Sequence, residues 1–595
     1  MKFAEKTISR RSFLAGMAST GLIMGLGAVL PGCSKEEAVS DMAATGGSQS
    51  FSPAVWFEVS NTGDVTINIA KAEMGQHVGT ALARIVADEL GADWSKVSLH
   101  HVDSDPKWGY MVTGGSWSVV NSFTMLSQAG AAGRKVLTDA AAALLGVEAA
   151  TLTAENGQVS GGGQSLSFAD IVSRGDVSRS FTEEELGAMP VKAPADRYLI
   201  GEPADALDIP EKARGEAVYG LDTELPGMVY AHPLIAPTRY GSSVRNIDDS
   251  AAKDIPGYQQ TITIEDPTGF VEGMALVIAD SFPAAMKASR AVKVEWDAGK
   301  TAEVSEADIL EAGEKLVNDT ASGTLFVNAG DAAAAMEGAA ETLSSTYRTH
   351  TALHFTLEPQ NALVEFKDGK CHVHAGNQWQ SLIIPVLAKS LEMEEADIQL
   401  HTYFLGGGFG RRLFGDQMIP AAHAARQLGK PVKLIMQRPA DSRFDCVRSP
   451  SVAKIDAAFD ADGNLTALDH AAAAGWPTKS MAPGFLGEGV DGNGKFDGFS
   501  INGADHWYSV PNHRVRAINN TLAQETFLPG WLRAVGPGWI SWSVESFMDE
   551  IAIKMGMDPV QLRLSMLDAE GRHAGSAPLQ VGGAKRLAAA LEDVR

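Results

Sequence analysis

The chain has 595 residues, with 49 Lys+Arg against 73 Asp+Glu and a formal net charge of -24. That length exceeds a single core and predicts about three or four domains, and the acidity excludes a nucleic-acid or anionic-membrane surface, which needs clustered Lys and Arg. Cys33, Cys371 and Cys446 are too few for a disulfide framework, and no CxxC pair exists for zinc or an iron–sulfur cluster.

At the N-terminus, "SRRSFL" (Ser9–Leu14) sets paired arginines before an apolar, Gly/Ala-rich stretch, Phe13 to Leu30. This is the layout of a twin-arginine export signal over residues 1–33. "LPGC" (Leu30–Cys33) follows, which makes Cys33 a candidate lipidation site, although proline at its second position departs from a lipobox. Residues 34–50 read as a polar linker. No later run is long and apolar enough to span a bilayer. The mature protein is expected in the periplasm, soluble or tethered through Cys33.

From Phe51 the chain reads as mixed α/β. "VWFEVSNTGDVTINIA" alternates around Asn61–Gly63, a hairpin signal. "VGTALARIVADELG" (Val78–Gly91) has helical spacing and stops at glycine, and "KVSLHHV" returns to strand. A long Ala-rich helix is predicted over Gln128–Leu145, and residues 51–185 form one expected unit. A Pro-rich stretch, Met189–Pro210, leads to a second α/β unit over 200–300, where "ALVIADSFPAAMKASRAVKVEW" reads strand–helix–strand. A less regular segment over 301–341 bridges to a third region, 340–595. It has short strands, Asp-Gly turns at Asp368–Gly369 and Asp462–Gly463, and a helix "SVESFMDEIAIKMG" (Ser543–Gly556).

Four polar loops carry the chemistry. "FLGGGFGRRLFGD" (Phe404–Asp416) follows an alternating run, Ile398–Phe404. Its glycines permit positive φ and close backbone approach to a ligand. Arg411 and Arg412 suit a phosphate or pyrophosphate. Neither the Walker nor the dinucleotide-binding glycine pattern is present, and composition alone favours an ordinary turn with solvated arginines. "EMGQHVGT" (Glu73–Thr80) lies between a strand and a helix, whose first N–H groups can hold an anion. "TGGSWSVVN" (Thr113–Asn121) adds glycines and serine hydroxyls before the long helix, and "GNQWQ" places Gln378 at a strand end.

In this order the loops resemble those of the molybdenum hydroxylases of the xanthine dehydrogenase and aldehyde oxidase family, most of all the large, beta-type subunit of isoquinoline 1-oxidoreductase-like enzymes. In that subfamily the EMGQ loop precedes the GGGFGRR loop, as here. "GLDTELPGMVYA" (Gly220–Ala231), "HFTLEP" (His354–Pro359), "WLRAVG" (Trp531–Gly536) and "ESFMDEIAIKMGMDPVQLRL" (Glu545–Leu564) extend the resemblance over residues 51–595. It implies an α+β, multidomain molybdopterin-binding subunit. An α/β hammerhead-like domain (200–300) stands between mixed sheet-and-helix cofactor-binding regions. By position, Gly407, Gly408, Phe409 and Gly410 would line the molybdenum and pterin, and Gln378 would bond a molybdenum oxygen. Gly75, Gln76, Gly115, Ser116 and Ser118 would hold the phosphate end. Arg411 and Arg412 would pair with the pyrophosphate of a cytosine dinucleotide form, and Arg533 would lie near the substrate. No residue stands out as a direct metal ligand.

The chain departs from the family at His77, where glycine is usual, and at its end. Family members carry a GxGE loop whose glutamate is the general base. By the usual family length roughly 150 further residues are expected, with that glutamate beyond Arg595. Glu488, in "GFLGEGVDGNG", reads as part of a surface loop. The resemblance implies hydroxylation of an N-heterocycle or oxidation of an aldehyde, with water as oxygen source. Electrons would leave to a small [2Fe–2S] subunit and then to a cytochrome. The reading from another class is a truncated, inactive remnant that binds cofactor or partner. An exported binding module does not explain the spaced loops.

Overall fold

The computed structural model describes residues 50–567 and 583–595. The expected export signal, Cys33 and the linker up to residue 49 lie outside the described residues. The alternating run forms strands Phe57–Ser60 and Val65–Ile69, joined by a turn in which Gly63 takes φ 81°. Phe57, Val59, Val65, Ile67 and Ile69 are buried on one face of the sheet. Each contributes about 1.5–3 kcal/mol by leaving water. Helix Val78–Leu90 follows and stops at Gly91, whose φ of 79° closes the last turn. The chain then returns as Val97–His101, parallel to Val65–Ile69. This β-α-β crossover places the Glu73–His77 loop at the carboxyl end of a strand and the start of a helix, where α/β units bind ligands.

The long helix runs Ser118–Leu145, starting well before Gln128. Ser and Val have weak helix propensity, but burial of Ser122, Leu126 and Ser127 against the core overrides it. The segment read as irregular holds a helix, Glu306–Asn318, begun by a reciprocal cap between Ser305 and Asp308, then a strand, Thr324–Ala329. Strand–helix–strand is found at Met274–Ala279, Phe282–Ser289 and Lys293–Asp297.

Two compact units emerge. One takes the described residues up to Pro226 together with Ala362–Gly407; the other takes Gly227–Asn361 and Gly408–Arg595. The expected 340–595 region is therefore divided. The reason is non-local: Ser104 N donates to Leu400 O at 2.9 Å and Thr113 N to Gln378 O at 2.7 Å, tying the parallel strands Lys370–His374 and Ile398–His401 to the N-terminal unit. In the second unit, Tyr258–Ile264, Met274–Ala279 and Val229–Leu234 pair antiparallel, and Val432–Ile435 joins in parallel. A five-stranded sheet orders Thr324–Ala329, Asn512–Asn519, Leu465–Ala474, Ser451–Phe459 and Glu341–Thr349. Helix Ile540–Met555 packs into the same core and ends at Gly556, φ 65°.

Candidate functional site

Within the first unit, residues far apart in the chain converge. The Gln378 side chain is buried, and its Nε2 donates to the Thr113 carbonyl at 2.9 Å. Thr113 Oγ1 accepts from Ala72 N at 2.8 Å, and Leu405 N donates to Glu73 O at 2.9 Å. These bonds bring together the Glu73–His77 loop, the Thr113–Ser118 loop, Gln378 and the start of the glycine-rich stretch.

The Glu73–His77 loop already contains an anion. The carboxylate of Glu73 accepts from Gly75 N (2.8 Å), His77 N (3.2 Å) and Val78 N (3.0 Å). A helix N-terminus stabilises negative charge, and here the chain supplies it. Behind it, Lys212 Nζ lies 3.0 Å from Glu73 and also bonds Asp208. Burial works against the Lys212 charge, but Asp208 and Glu73 raise its pKa above the ordinary lysine value. Gln76 folds back on its own loop, donating to Ala72 O at 2.9 Å and accepting from Met74 N at 2.7 Å. The expectation that Gly75 and Gln76 offer their groups to a phosphate meets a competing use: the Gly75 N–H and the Gln76 side chain are engaged within the chain. Gly75 keeps an open front, since a Cβ there would meet nothing within 4 Å, and its φ is 107°. His77, the family departure, sits at φ 57°, the conformation a glycine would take, and its Nδ1 lies 2.8 Å from Asp208.

The neighbouring loop differs. Gly115 and Ser116 are exposed, with φ 61° and 59°, and Ser118 opens the 28-residue helix, whose N-terminus has no side-chain cap. The Trp117 N–H within this turn donates to Gly114 O at 3.2 Å, and the uncapped helix start beyond it favours negative charge.

In the second unit, Gly410 has φ 104°, and a Cβ there would stand 1.6 Å from the Trp531 carbonyl. Only glycine fits that approach. Phe409 has φ 55°, its carbonyl accepts from Arg533 N at 2.7 Å, and the Arg533 guanidinium lies 5.1 Å from its ring centre. Phe409 is half-buried and Arg533 exposed, so two expected site residues stand together.

Arg411 and Arg412 do not face outward as expected for partners of a pyrophosphate. Both are fully buried. Arg411 lies 2.8 Å from Asp416 and 3.0 Å from Asp445, and Arg239 meets Asp416 at 2.9 Å. Arg412 donates to the Glu358 carboxylate and carbonyl, both at 2.9 Å. Burial opposes the Arg411 charge, but Asp416 and Asp445 outweigh it and hold the guanidinium protonated. Burial alone would push Asp416 up, yet Arg411 and Arg239 hold its carboxyl below the usual range. A buried cation is tolerated only when paired, so these arginines fasten the loop. The partners were missed because they lie far along the chain. Glu73 was missed as well, because it lies five residues before the helix start whose amide it meets.

Two groups have the composition of a cation site among the described residues: Glu73, His77 and Asp208, and His354, Asp445 and Cys446. In each, a side-chain cation already occupies the carboxylates, Lys212 in one and Arg411 in the other. Glu488 is exposed and paired with Lys495 at 3.5 Å, as befits a surface loop.

Glu73 thus takes the Gly75, His77 and Val78 amides, whereas Gly115 and Ser116 stand exposed before the long helix. Comparison with known proteins agrees with this chemistry. A molybdopterin cofactor-binding domain model matches residues 317–567, and a second matches 12–193. The chain is 49% identical over 589 residues to a membrane-bound aldehyde dehydrogenase (pyrroloquinoline-quinone) of Gluconacetobacter polyoxogenes, covering 99% of this chain and 76% of that protein. It is 28% identical to isoquinoline 1-oxidoreductase subunit beta of Brevundimonas diminuta, covering 95% and 76%. Among solved structures, an aldehyde oxidoreductase from Desulfovibrio gigas shares the fold, with TM-score 0.51 and 20% identity, over 72% of this chain and 49% of that one.

Proposed function

The chain belongs to the xanthine dehydrogenase and aldehyde oxidase family of molybdopterin-binding oxidoreductases, and from this we propose that it is the cofactor-holding large subunit of an aldehyde-oxidising enzyme. The observation that carries the choice of aldehyde is the 49% identity, across nearly the whole chain, to a protein named aldehyde dehydrogenase. The 28% identity to an isoquinoline 1-oxidoreductase subunit keeps hydroxylation of an N-heterocycle as the second reading.

When bound, the molybdenum cofactor supplies a two-electron oxidation with water as the oxygen source. The chain's own residues bind and orient. Gly115, Ser116 and the first turn from Ser118 would hold the phosphate end through backbone N–H groups. Gln378, buried and bonded to Thr113, would offer its amide to the group. Gly407, Gly408 and Phe409 would meet it with bare backbone and an aromatic ring. Arg533, resting on Phe409, meets negative charge as it develops on the substrate. Arg411 and Arg412 act indirectly, by holding the loop.

The finer picture is part of the same proposal. A cytosine dinucleotide form of the cofactor follows from the subfamily resemblance. The scarcity of cysteine supports a separate [2Fe–2S] subunit as electron acceptor, followed by a cytochrome. The paired arginines before an apolar stretch support twin-arginine export to the periplasm, with lipid on Cys33 as an anchor. Among the described residues no helix is long and apolar enough to cross a membrane, so a membrane association like that in the relative's name would come from elsewhere. That name also carries a quinone, whereas both domain models favour molybdopterin.

The test is purification of the full chain with any co-produced small subunit, followed by assays for molybdenum, CMP and quinone, and dye reduction with aldehydes and N-heterocycles. Aldehyde-dependent dye reduction by a molybdenum-loaded preparation is expected. A loaded preparation that oxidises N-heterocycles alone would shift the reading to the second one, and one that reduces no dye would favour the inactive remnant.

A further inference from the structure

Two residues past the strand Val65–Ile69, Lys71 lies at a partly enclosed cavity of about 50 Å³. Trp56, Leu82, Trp108, Tyr110, Met125 and Leu126 give it apolar and aromatic walls. The Trp56 and Trp108 rings stand 5.6 Å apart at 51°. Lys71 is half-buried, and the cavity is only partly enclosed, which gives a small solute a route in.

Its amine is unlike its neighbours. Nζ donates to the Val112 carbonyl at 3.1 Å, and among the described residues no carboxylate lies within ion-pair distance of it. By contrast Lys212, close by in sequence to the same loop's partners, is bonded to Glu73 and Asp208, and Lys192 lies 3.7 Å from Asp88. An ammonium without a counter-ion among aromatic walls is costly, and the neutral amine is favoured. Burial accordingly pulls the Lys71 pKa down to about 8 from the ordinary 10.5. At neutral pH this leaves on the order of a tenth of the amine free, against less than about a thousandth for an exposed lysine. A free amine in an apolar recess is an activated nucleophile.

We infer that Lys71 and its aromatic cavity form a carbonyl-capture site, at which a short-chain aldehyde condenses with the lysine amine. The nitrogen lone pair bonds to the carbonyl carbon while the C=O π pair moves to oxygen. A proton passes from nitrogen to that oxygen, giving a carbinolamine. The C–O bond then breaks, one water leaves and a C=N imine remains. Nothing is oxidised or reduced, so no cofactor is needed. Ser122 and Asn121, polar residues lining the same cavity, are candidates to bond the carbinolamine hydroxyl. The size of the recess favours short, unbranched aldehydes. The site stands apart from the proposed oxidation: it requires neither molybdenum nor turnover.

The test treats the purified full chain with acetaldehyde and sodium cyanoborohydride, which reduces an imine to a stable ethylamine. Peptide mass spectrometry then follows each lysine. Ethylation of Lys71 is expected about tenfold faster at neutral pH than that of the exposed Lys370, with a half-maximal rate near pH 8. Trimethylacetaldehyde in place of acetaldehyde is expected to lower the Lys71-to-Lys370 ratio at least severalfold, because only Lys71 is enclosed. Lys71→Arg keeps the charge and removes the fast-reacting peptide. Lys71 reacting no faster than Lys370, or a Lys71 rate still climbing above pH 9, would overturn the inference. Either outcome leaves the cofactor reading untouched, since protein with and without molybdenum is expected to label alike.

Discussion

The loops Glu73–His77 and Gly408–Arg412 look alike as text: glycines beside charge, each suited to an anion. In both, the chain answers its own charge, by Glu73 under three backbone amides and by Asp416, Asp445 and Glu358 around two guanidiniums. The difference lies in the glycines. Gly75 turns its open side to empty space, whereas Gly410 is pressed against the Trp531 carbonyl. Positive φ alone therefore does not mark a ligand loop; what stands in front of the missing Cβ does. The first glycine has open space in front of it, and the second, at Gly410, holds the fold.

The sharpest way to break this comparison is to add one methyl group to each. Gly410→Ala is expected to destabilise by more than about 4 kcal/mol, because backbone must move. Gly75→Ala meets only the strain of its φ, about 1–2 kcal/mol. Thermal and denaturant unfolding of both variants checks this, and equal losses would sink the distinction. Next in size, Asp416→Asn leaves Arg411 and Arg239 short of a counter-charge in a buried site and is expected to cost about 3–5 kcal/mol. Unchanged unfolding would mean that the arginines are solvated after all.

The pH dependence of the first loop sharpens the contrast further. Burial works to raise the Asp208 pKa, but Lys212 and His77 hold it below the ordinary carboxylate value. A depressed folded-state pKa adds stability above the unfolded value, and that stability is lost as pH falls through the folded one. Stability against denaturant is therefore expected to fall as pH drops below the usual carboxylate range. Asp208→Asn should remove that acid limb. The smallest effect is expected for His77→Gly, which relieves left-handed strain but loses the bond to Asp208. The two terms offset to within about 1 kcal/mol, read by the same unfolding assay.

Much of this was legible where the determinants are local. The hairpin around Gly63, the helix ending at Gly91 and the strand–helix–strand from Met274 follow from periodicity and from where the glycines stand. The helix at Glu306 was missed, although Ser305 and Asp308 spell a reciprocal cap, because the surrounding text is irregular. What could not be read was pairing over distance. Arg411 and Arg412 show their charge in the sequence, yet their partners Asp445 and Glu358 lie on other segments. A charged pair beside a glycine loop reads the same whether it faces solvent or core. Ser118–Gln128 was lost for a related reason: burial, not propensity, makes it helical. Lys71 carries no signal at all, because its recess exists only once Trp56 and Trp108 are brought together.

On the proposed function the chain holds a molybdopterin cofactor and oxidises aldehydes. The most direct measurement is metal and nucleotide analysis of the full-length protein, produced in a host that makes the cofactor and exports through the twin-arginine route. Stoichiometric molybdenum together with released CMP is the expected result. A properly matured preparation with neither, or one carrying quinone in their place, would contradict the account.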